Sequence, residues 1–185
     1  PIVEAATRVN WLKSNAQCKL ENQQVFSADM VLADSCFFDV FPQGIFMGNA
    51  KETLSRPKYC LVSSRVAERI GGNVVGKHFS VPNYPDIIFT IGGVFDAFPW
   101  NSTFTSYGVV VSMSTMPQVR TYDSRNDWIG SDIFNSYIRI AKGHGVGELK
   151  PYVDKMRQDH FPMKESITTI LRIIPEIAPL SSLVR

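Results

Sequence analysis

Three histidines, three cysteines and a scatter of aspartates are the residues of this 185-residue chain with chemistry to offer. Their spacing decides what kind. His78 follows Gly76-Lys77, His144 lies inside Lys142-Gly143-His144-Gly145-Val146-Gly147, and His160 falls on the apolar side of a helical stretch. Zinc sites need ligands paired at short helical or knuckle spacing, as in His-Glu-x-x-His or Cys-x-x-Cys. No two of these residues stand so, and His160 reads as a core-edge histidine with a hydrogen-bond partner. The stretch around His144 has a sharper alternative, because a glycine loop entering a helix presents backbone N–H groups to an anion. It lacks the Lys-Ser/Thr ending of a phosphate loop and the acidic partner of a dinucleotide fingerprint, so it reads as a strand-to-helix connection.

Nucleophiles fare no better. There is no Gly-x-Ser-x-Gly elbow and no Ser-x-x-Lys with its companion motifs. Asp34, Asp39, Asp86 and Asp96 read as capping or solvated residues. Cys18, Cys36 and Cys60 are odd in number, so one lies outside any internal disulfide. Their neighbours make Cys36 and Cys60 buried apolar thiols. Asn101-Ser102-Thr103 matches a glycosylation acceptor but reads as a loop. The expectation is a chain with no catalytic residue, cofactor or metal. Trp100, Phe104 and Trp128 are the aromatics offered for a partner or substrate surface, against the commoner fate of such rings in a core.

Nineteen Lys and Arg against 17 Asp and Glu give a net charge of +2, and 44% of the residues are hydrophobic. That suffices for a substantial core in one domain or two small lobes. No run of basic residues interleaved with aromatics exists, which argues against a nucleic-acid partner. No stretch approaches the roughly 18 apolar residues that span a bilayer, and the start has no signal-peptide order. The chain begins at Pro1 without an initiator Met and closes on an apolar, proline-punctuated tail. The expectation is a soluble segment of a longer protein with membrane spans before and after it.

Val3 to Leu12 and Gln24 to Leu32 have strand composition, with Gln17 to Leu20 completing an antiparallel pair. Asp34 to Phe41 places Phe37, Phe38 and Phe41 at helical offsets behind the cap candidates Asp34 and Ser35. Lys58 to Val62 is a short strand, Ser63 and Ser64 cap a helix over Arg65 to Ile70, and Gly71-Gly72 stop it. Asp86 to Phe95 is a strand whose Gly92-Gly93 pair signals a bulge or a close backbone approach. Strands follow at Tyr107 to Met113, Phe134 to Ala141 and Thr168 to Ile174. After Gly147, Leu149, Val153, Met156 and His160 share one helix face, with Pro151 in the first turn. The class is α+β, with mainly antiparallel or mixed sheets.

Four segments carry a pattern together: Ala33 to Phe41; Cys60 to Ile70 with Asn73 to Lys77; Ile91 to Pro99; and Tyr137 to Ile140. They resemble the extracytoplasmic core domain of MacB-like and FtsX-like ABC transporter permeases, in the form common among Bacteroidetes. That family shows an acidic residue, then Phe-Phe and a following Phe, and a Gly-x-x-x-x-Ala-Leu-like segment, here Gly48 to Leu54. It also shows a Ser-x-x-x-Ala helix (Ser63 to Ala67), a Gly-Lys turn (Gly76-Lys77) and a Gly-Val-x-x-x-x-Pro strand exit (Gly93 to Pro99). The resemblance runs from Val3 to about Leu180. Gly92, a second glycine, and Trp100-Asn101-Ser102 depart from it.

The resemblance implies a periplasmic domain between the first two membrane helices of an inner-membrane permease. It implies a porter-like lobe of mixed or antiparallel sheet with helices at residues 1–54 and 104–185, and a smaller inserted Sabre-like lobe at 55–103. It implies no chemistry, but mechanotransmission: a cytoplasmic ATP-binding subunit or domain moves the membrane helices, which drive two paired copies and act on an unknown cargo. Gly92, Gly93, Gly143, Gly145 and Gly147 are the expected compliant points. A free-standing periplasmic peptide- or lipoprotein-binding or chaperone module is the alternative.

Overall fold

A computed structural model describes residues 1–123, 125, 126 and 134–160, apart from the side chain of residue 157. The expected strand over Thr168 to Ile174, and Trp128, lie outside the described residues. The chain divides into two compact units, Val3–Arg139 with Pro1 and Ile140–Arg185 with Ile2.

In the first unit, β1 (Val3–Leu20) and β2 (Val25–Ala33) pair antiparallel. A tight turn joins them, with Gln23 at φ 68° and the Leu20 N–H donating to the Gln24 carbonyl at 2.9 Å. Alternation sorts β2 onto two faces: Phe26, Ala28, Met30 and Leu32 enter one core, Val31 and Ala33 another. Then come α1 (Phe37–Val40), β3 (Ile45–Gly48), α2 (Ala50–Ser55), β4 (Tyr59–Ser63), α3 (Ser64–Ile70), β5 (His78–Val81), β6 (Tyr84–Phe95) and β7 (Tyr107–Ser112). A 3-10 turn leads into α4 (Met116–Val119), and β8 (Phe134–Ile140) ends the unit.

The strands join in the order β2-β7-β4-β6-β5-β1-β8, and β1 also pairs with β2. Six strands therefore form a closed hydrogen-bonded circuit, with β3 added to β6 and β8 to β1. The β2–β7 and β4–β6 pairs are parallel and the β1–β2, β4–β7 and β5–β6 pairs antiparallel, so the fold is α+β with a mixed sheet. Closing the circuit leaves fewer unpaired edges.

Every strand of the circuit contributes one face to the first core, among them Leu12, Cys18, Met30, Cys60, Phe79, Phe89 and Val111. Burying a ring such as Phe89, fully inaccessible, stabilises by about 2–3 kcal/mol. The second core, Phe37, Leu54, Leu61, Phe95, Phe98, Phe104 and Val110, lies on the other face of β2, β4, β6 and β7.

The glycine pair serves both cores. Ile87, Phe89 and Ile91 face the first core at a spacing of two, after which the phase slips and Val94 faces it instead. The register records the slip: Cys60 pairs with Ile91 and Leu61 with Gly93, leaving Gly92 as the extra residue of a bulge. Gly92 and Gly93 are closely packed. A β-carbon on Gly92 would sit 2.7 Å from Thr53 Cγ2, and one on Gly93 2.7 Å from the Met47 carbonyl. Gly143, at φ +91°, and Gly147 have no atom that close.

Within residues 55–103, β4, β5 and β6 are hydrogen-bonded in the same circuit as the flanking strands. Two further expectations change. Asp34 does not cap α1, which starts behind Cys36 without a side-chain cap; its carboxylate instead holds Arg8 through Nε at 3.0 Å and NH2 at 3.1 Å. The two buried thiols are Cys18 and Cys60, whereas Cys36 is half-buried.

In the second unit, a 3-10 turn over Val146–Leu149 runs into α5 (Lys150–His160), with Leu149 buried, Val153 and Met156 half-buried and His160 exposed. Lys150–Asp154 and Lys155–Asp159 pair one turn apart on its surface, worth a few tenths of a kcal/mol each. No helix among the described residues is long and apolar enough to cross a membrane.

Candidate interaction surface

The residues singled out for chemistry are engaged locally. His78 Nδ1 lies 3.0 Å from Thr90 Oγ1 across the β5–β6 pair. His144 lies 2.9 Å from Glu148, whose other carboxylate oxygen accepts the Gly145 N–H at 2.8 Å. The glycine loop thus carries its own anion, and His144 with that N–H holds the Glu148 carboxyl below its ordinary range. Burial raises the Cys18 thiol to about 12 and Cys60 well above its ordinary value, so both stay protonated and unreactive. No group of three or more His, Cys, Asp or Glu among the described residues is placed to hold a metal ion.

One feature of the first unit is presented outward on a fixed support. The β6–β7 connection carries Trp100, 84% exposed, between two buried anchors, Phe98 and Phe104. Phe98 packs on Phe95 and Phe104, and Phe104 meets Phe41 at 4.5 Å, Tyr107 at 5.2 Å and Tyr137 at 5.6 Å between ring centres. Phe104, offered as a surface residue, is therefore an interior one: a ring with that many aromatic neighbours gains more from burial than from any exposed position. Ser102, the centre of the glycosylation-like triplet, is buried, accepts the Phe104 N–H at 3.1 Å and belongs to the turn.

The start of α3 fixes both ends of this loop. Ser63 caps the helix by accepting the Val66 N–H, and Ser64 Oγ accepts the Ala97 N–H at 3.2 Å. Arg65 donates to the Phe98 carbonyl at 3.0 Å and to the Thr105 carbonyl at 3.3 Å. Sequence reading took Ser64 and Arg65 as helix start alone. Their second task joins residues 33 and 40 positions away, and no local pattern signals it.

A groove of about 390 Å³ opens where β6 exchanges neighbours. Upstream, β5 pairs with it as far as Thr90, and downstream β3 takes over at Gly93. Between these points the floor is Ile91 and Gly92, with α2 on one side and the Gly76 turn on the other. Sequence reading did not single out this place.

The sequence model of the MacB-like periplasmic core domain matches residues 1–155. The chain belongs to that family. Solved structures agree with the MacB-like assignment. A domain of a Porphyromonas gingivalis protein described as a permease is 27% identical, with a TM-score of 0.78 over 100% of this chain and 85% of that one. The periplasmic region of MacB from Actinobacillus actinomycetemcomitans is 14% identical, with a TM-score of 0.60 over 86% of this chain and 68% of that one. The extracellular domain of the noncanonic ABC-type transporter YknZ from Gram-positive bacteria is 12% identical, with a TM-score of 0.57 over 85% and 76%. The last two establish the fold alone. No curated protein matches. The chain is thus a periplasmic domain of a MacB-like ABC transporter permease.

Proposed function

We propose that this MacB-like domain does no chemistry and instead couples ATP-driven motion of the permease's membrane helices to export or mechanotransmission in the periplasm. It works as one of two copies, alongside a cytoplasmic ATP-binding subunit or domain, on a cargo that its own residues do not name. The observation that carries this reading is the closed strand circuit, in which β1, 18 residues long, joins β2, β5 and β8. A close-packed body with strands paired all round moves as a unit, so a displacement applied to β1 is passed on rather than absorbed. Trp100, held on a clamped loop, is the contact point we assign to a partner or cargo.

Spin labels at position 100 of the full-length permease test the pairing and the movement together. A dipolar distance between the two labels that shifts between the ATP-bound and nucleotide-free states is expected. An invariant distance would remove the coupling, and no dipolar signal in either state would remove the pair.

A further inference from the structure

The groove beside β6 carries two charges that have no counterion among the described residues. Arg56, at the C-terminal end of α2, lies over the Tyr59 ring, its guanidinium carbon 3.8 Å from the ring centre, and donates to the Tyr59 hydroxyl at 2.7 Å. The turn that brings these two together has Lys58 at φ 67° and its N–H on Thr115 Oγ1 at 2.8 Å, so the stack is built by the backbone. Glu52, one helical turn before Arg56 on α2, lines the same groove. Pairs at this spacing ordinarily meet. Here Arg56 is drawn onto Tyr59, and neither residue has an ion-pair partner among the described residues.

Three other polar residues of the groove already have a partner inside the fold. Asn49 accepts the Glu52 N–H at 3.0 Å, His78 is engaged with Thr90, and Thr53 donates to the Gly92 carbonyl at 3.3 Å. The opposite charges left to bind with are one guanidinium fixed on an aromatic face and one carboxylate. An Arg held so presents its planar donors to a carboxylate with little ordering left to lose. A bare anion would also meet Glu52, which repels it. A ligand carrying an ammonium beside its carboxylate satisfies both charges. The groove is near the lower end of ligand-site volumes, about 300–1,000 Å³, which suits a small molecule.

We propose that this groove binds a small zwitterion of the amino-acid type, its carboxylate on Arg56 and its ammonium on Glu52. Titration of the chain with L-alanine, followed by the NMR signals of Arg56 Nε–H and of the Gly76 and Gly92 amides, tests it. Saturable shifts are expected, at least tenfold weaker with acetate or methylammonium alone, and lost in Arg56→Gln and in Glu52→Gln. Both substitutions are at exposed positions, so the rest of the spectrum should be unchanged. Phosphoethanolamine distinguishes a lipid-headgroup zwitterion from an amino acid: tighter binding than L-alanine would overturn the amino-acid assignment. Equal affinity for acetate and L-alanine would reduce the site to an anion contact and overturn the proposal. No saturable shift, or shifts that survive Arg56→Gln, would do the same.

Discussion

Gly48 crosses β6 so closely that a β-carbon on it would overlap the carbonyl oxygen of Gly92 and lie 2.9 Å from Gly93 Cα. Gly48 also stands at φ +79°, where a side chain is strained whatever the space. Gly48→Ala is therefore expected to destabilise by about 3 kcal/mol or more, a drop of roughly 6–12 °C in Tm for a chain of this size. Gly71→Ala shares the positive φ but meets nothing within 4 Å, and should lose about 1–3 kcal/mol, the backbone strain without the crowding. Thermal unfolding of the two variants side by side, followed by circular dichroism, separates crowding from conformation.

Trp100 and Phe104 belong to one loop and should respond in opposite ways. Trp100 is 84% exposed and Phe104 3%. Trp100→Ala is expected to leave stability within about 0.5 kcal/mol, while transport by the full-length permease falls. Phe104→Ala opens the second core and should cost about 3–5 kcal/mol. Chemical denaturation of both, set beside a transport assay at matched protein levels, checks the division; a strongly destabilised Trp100→Ala would make that ring structural.

Arg65→Met keeps the bulk of the side chain and removes two hydrogen bonds to the loop carbonyls of Phe98 and Thr105. A loss of about 1–3 kcal/mol is expected, since the donor is charged. Amide exchange should quicken over residues 97–106 and stay unchanged in β2. A uniform rise across the unit would mean that Arg65 supports the whole core and not this loop.

Alkaline pH should unfold the first unit. Burial raises Cys18 from an ordinary 9.0 to about 12 and Cys60 in the same direction. Burial, with Tyr137 and Asp29 nearby, raises Tyr107 from 10.0 to about 12. Between the ordinary and raised values the folded state holds protons that the unfolded state has released, so stability falls as pH rises. It is fully present below pH 9 and declines by about 1.4 kcal/mol per pH unit for Cys18 up to about pH 12, with Cys60 adding to the decline in the same direction. Denaturant midpoints from pH 8 to 11 measure the slope. In Cys18→Ala/Cys60→Ala the part between pH 9 and 10 should flatten.

Much of this fold was legible where a local pattern had one reading. The Ser63 cap, the stop at Gly71 and the strand composition of β2 and β7 each follow from neighbouring residues, and the structure has them. β3 and α2, over Ile45–Gly48 and Ala50–Ser55, are too short to set a period and were read only as a family motif. The strand order was not legible for a related reason: a strand's neighbours in a circuit are not its neighbours in sequence, and β4 sits between β6 and β7. The surface assignment divided on the same ground. Trp100 and Phe104 are both loop aromatics by composition, and only the ring packing of Phe37, Phe41 and Tyr137, brought in from distant segments, decides which is inside.

The glycine pair alone signals a bulge or a close backbone approach, and the slip of phase at Gly92 has a sharp consequence. Deletion of Gly92 would shorten β6 by the residue that lets Ile91 and Val94 share a core. The chain beyond would then turn over, sending Val94 towards the second core and Phe95 towards the first. Two large side chains would exchange environments at once, each in a core with no room for the other. The deletion variant is expected to lose the cooperative unfolding transition, whereas Gly92→Ala with Thr53→Ala, which keeps the count and relieves the Thr53 contact, should retain it at a lower midpoint. If the deletion folded as well as the double substitution, register would not be what the glycine supplies, and the bulge would be a local accommodation of α2 alone.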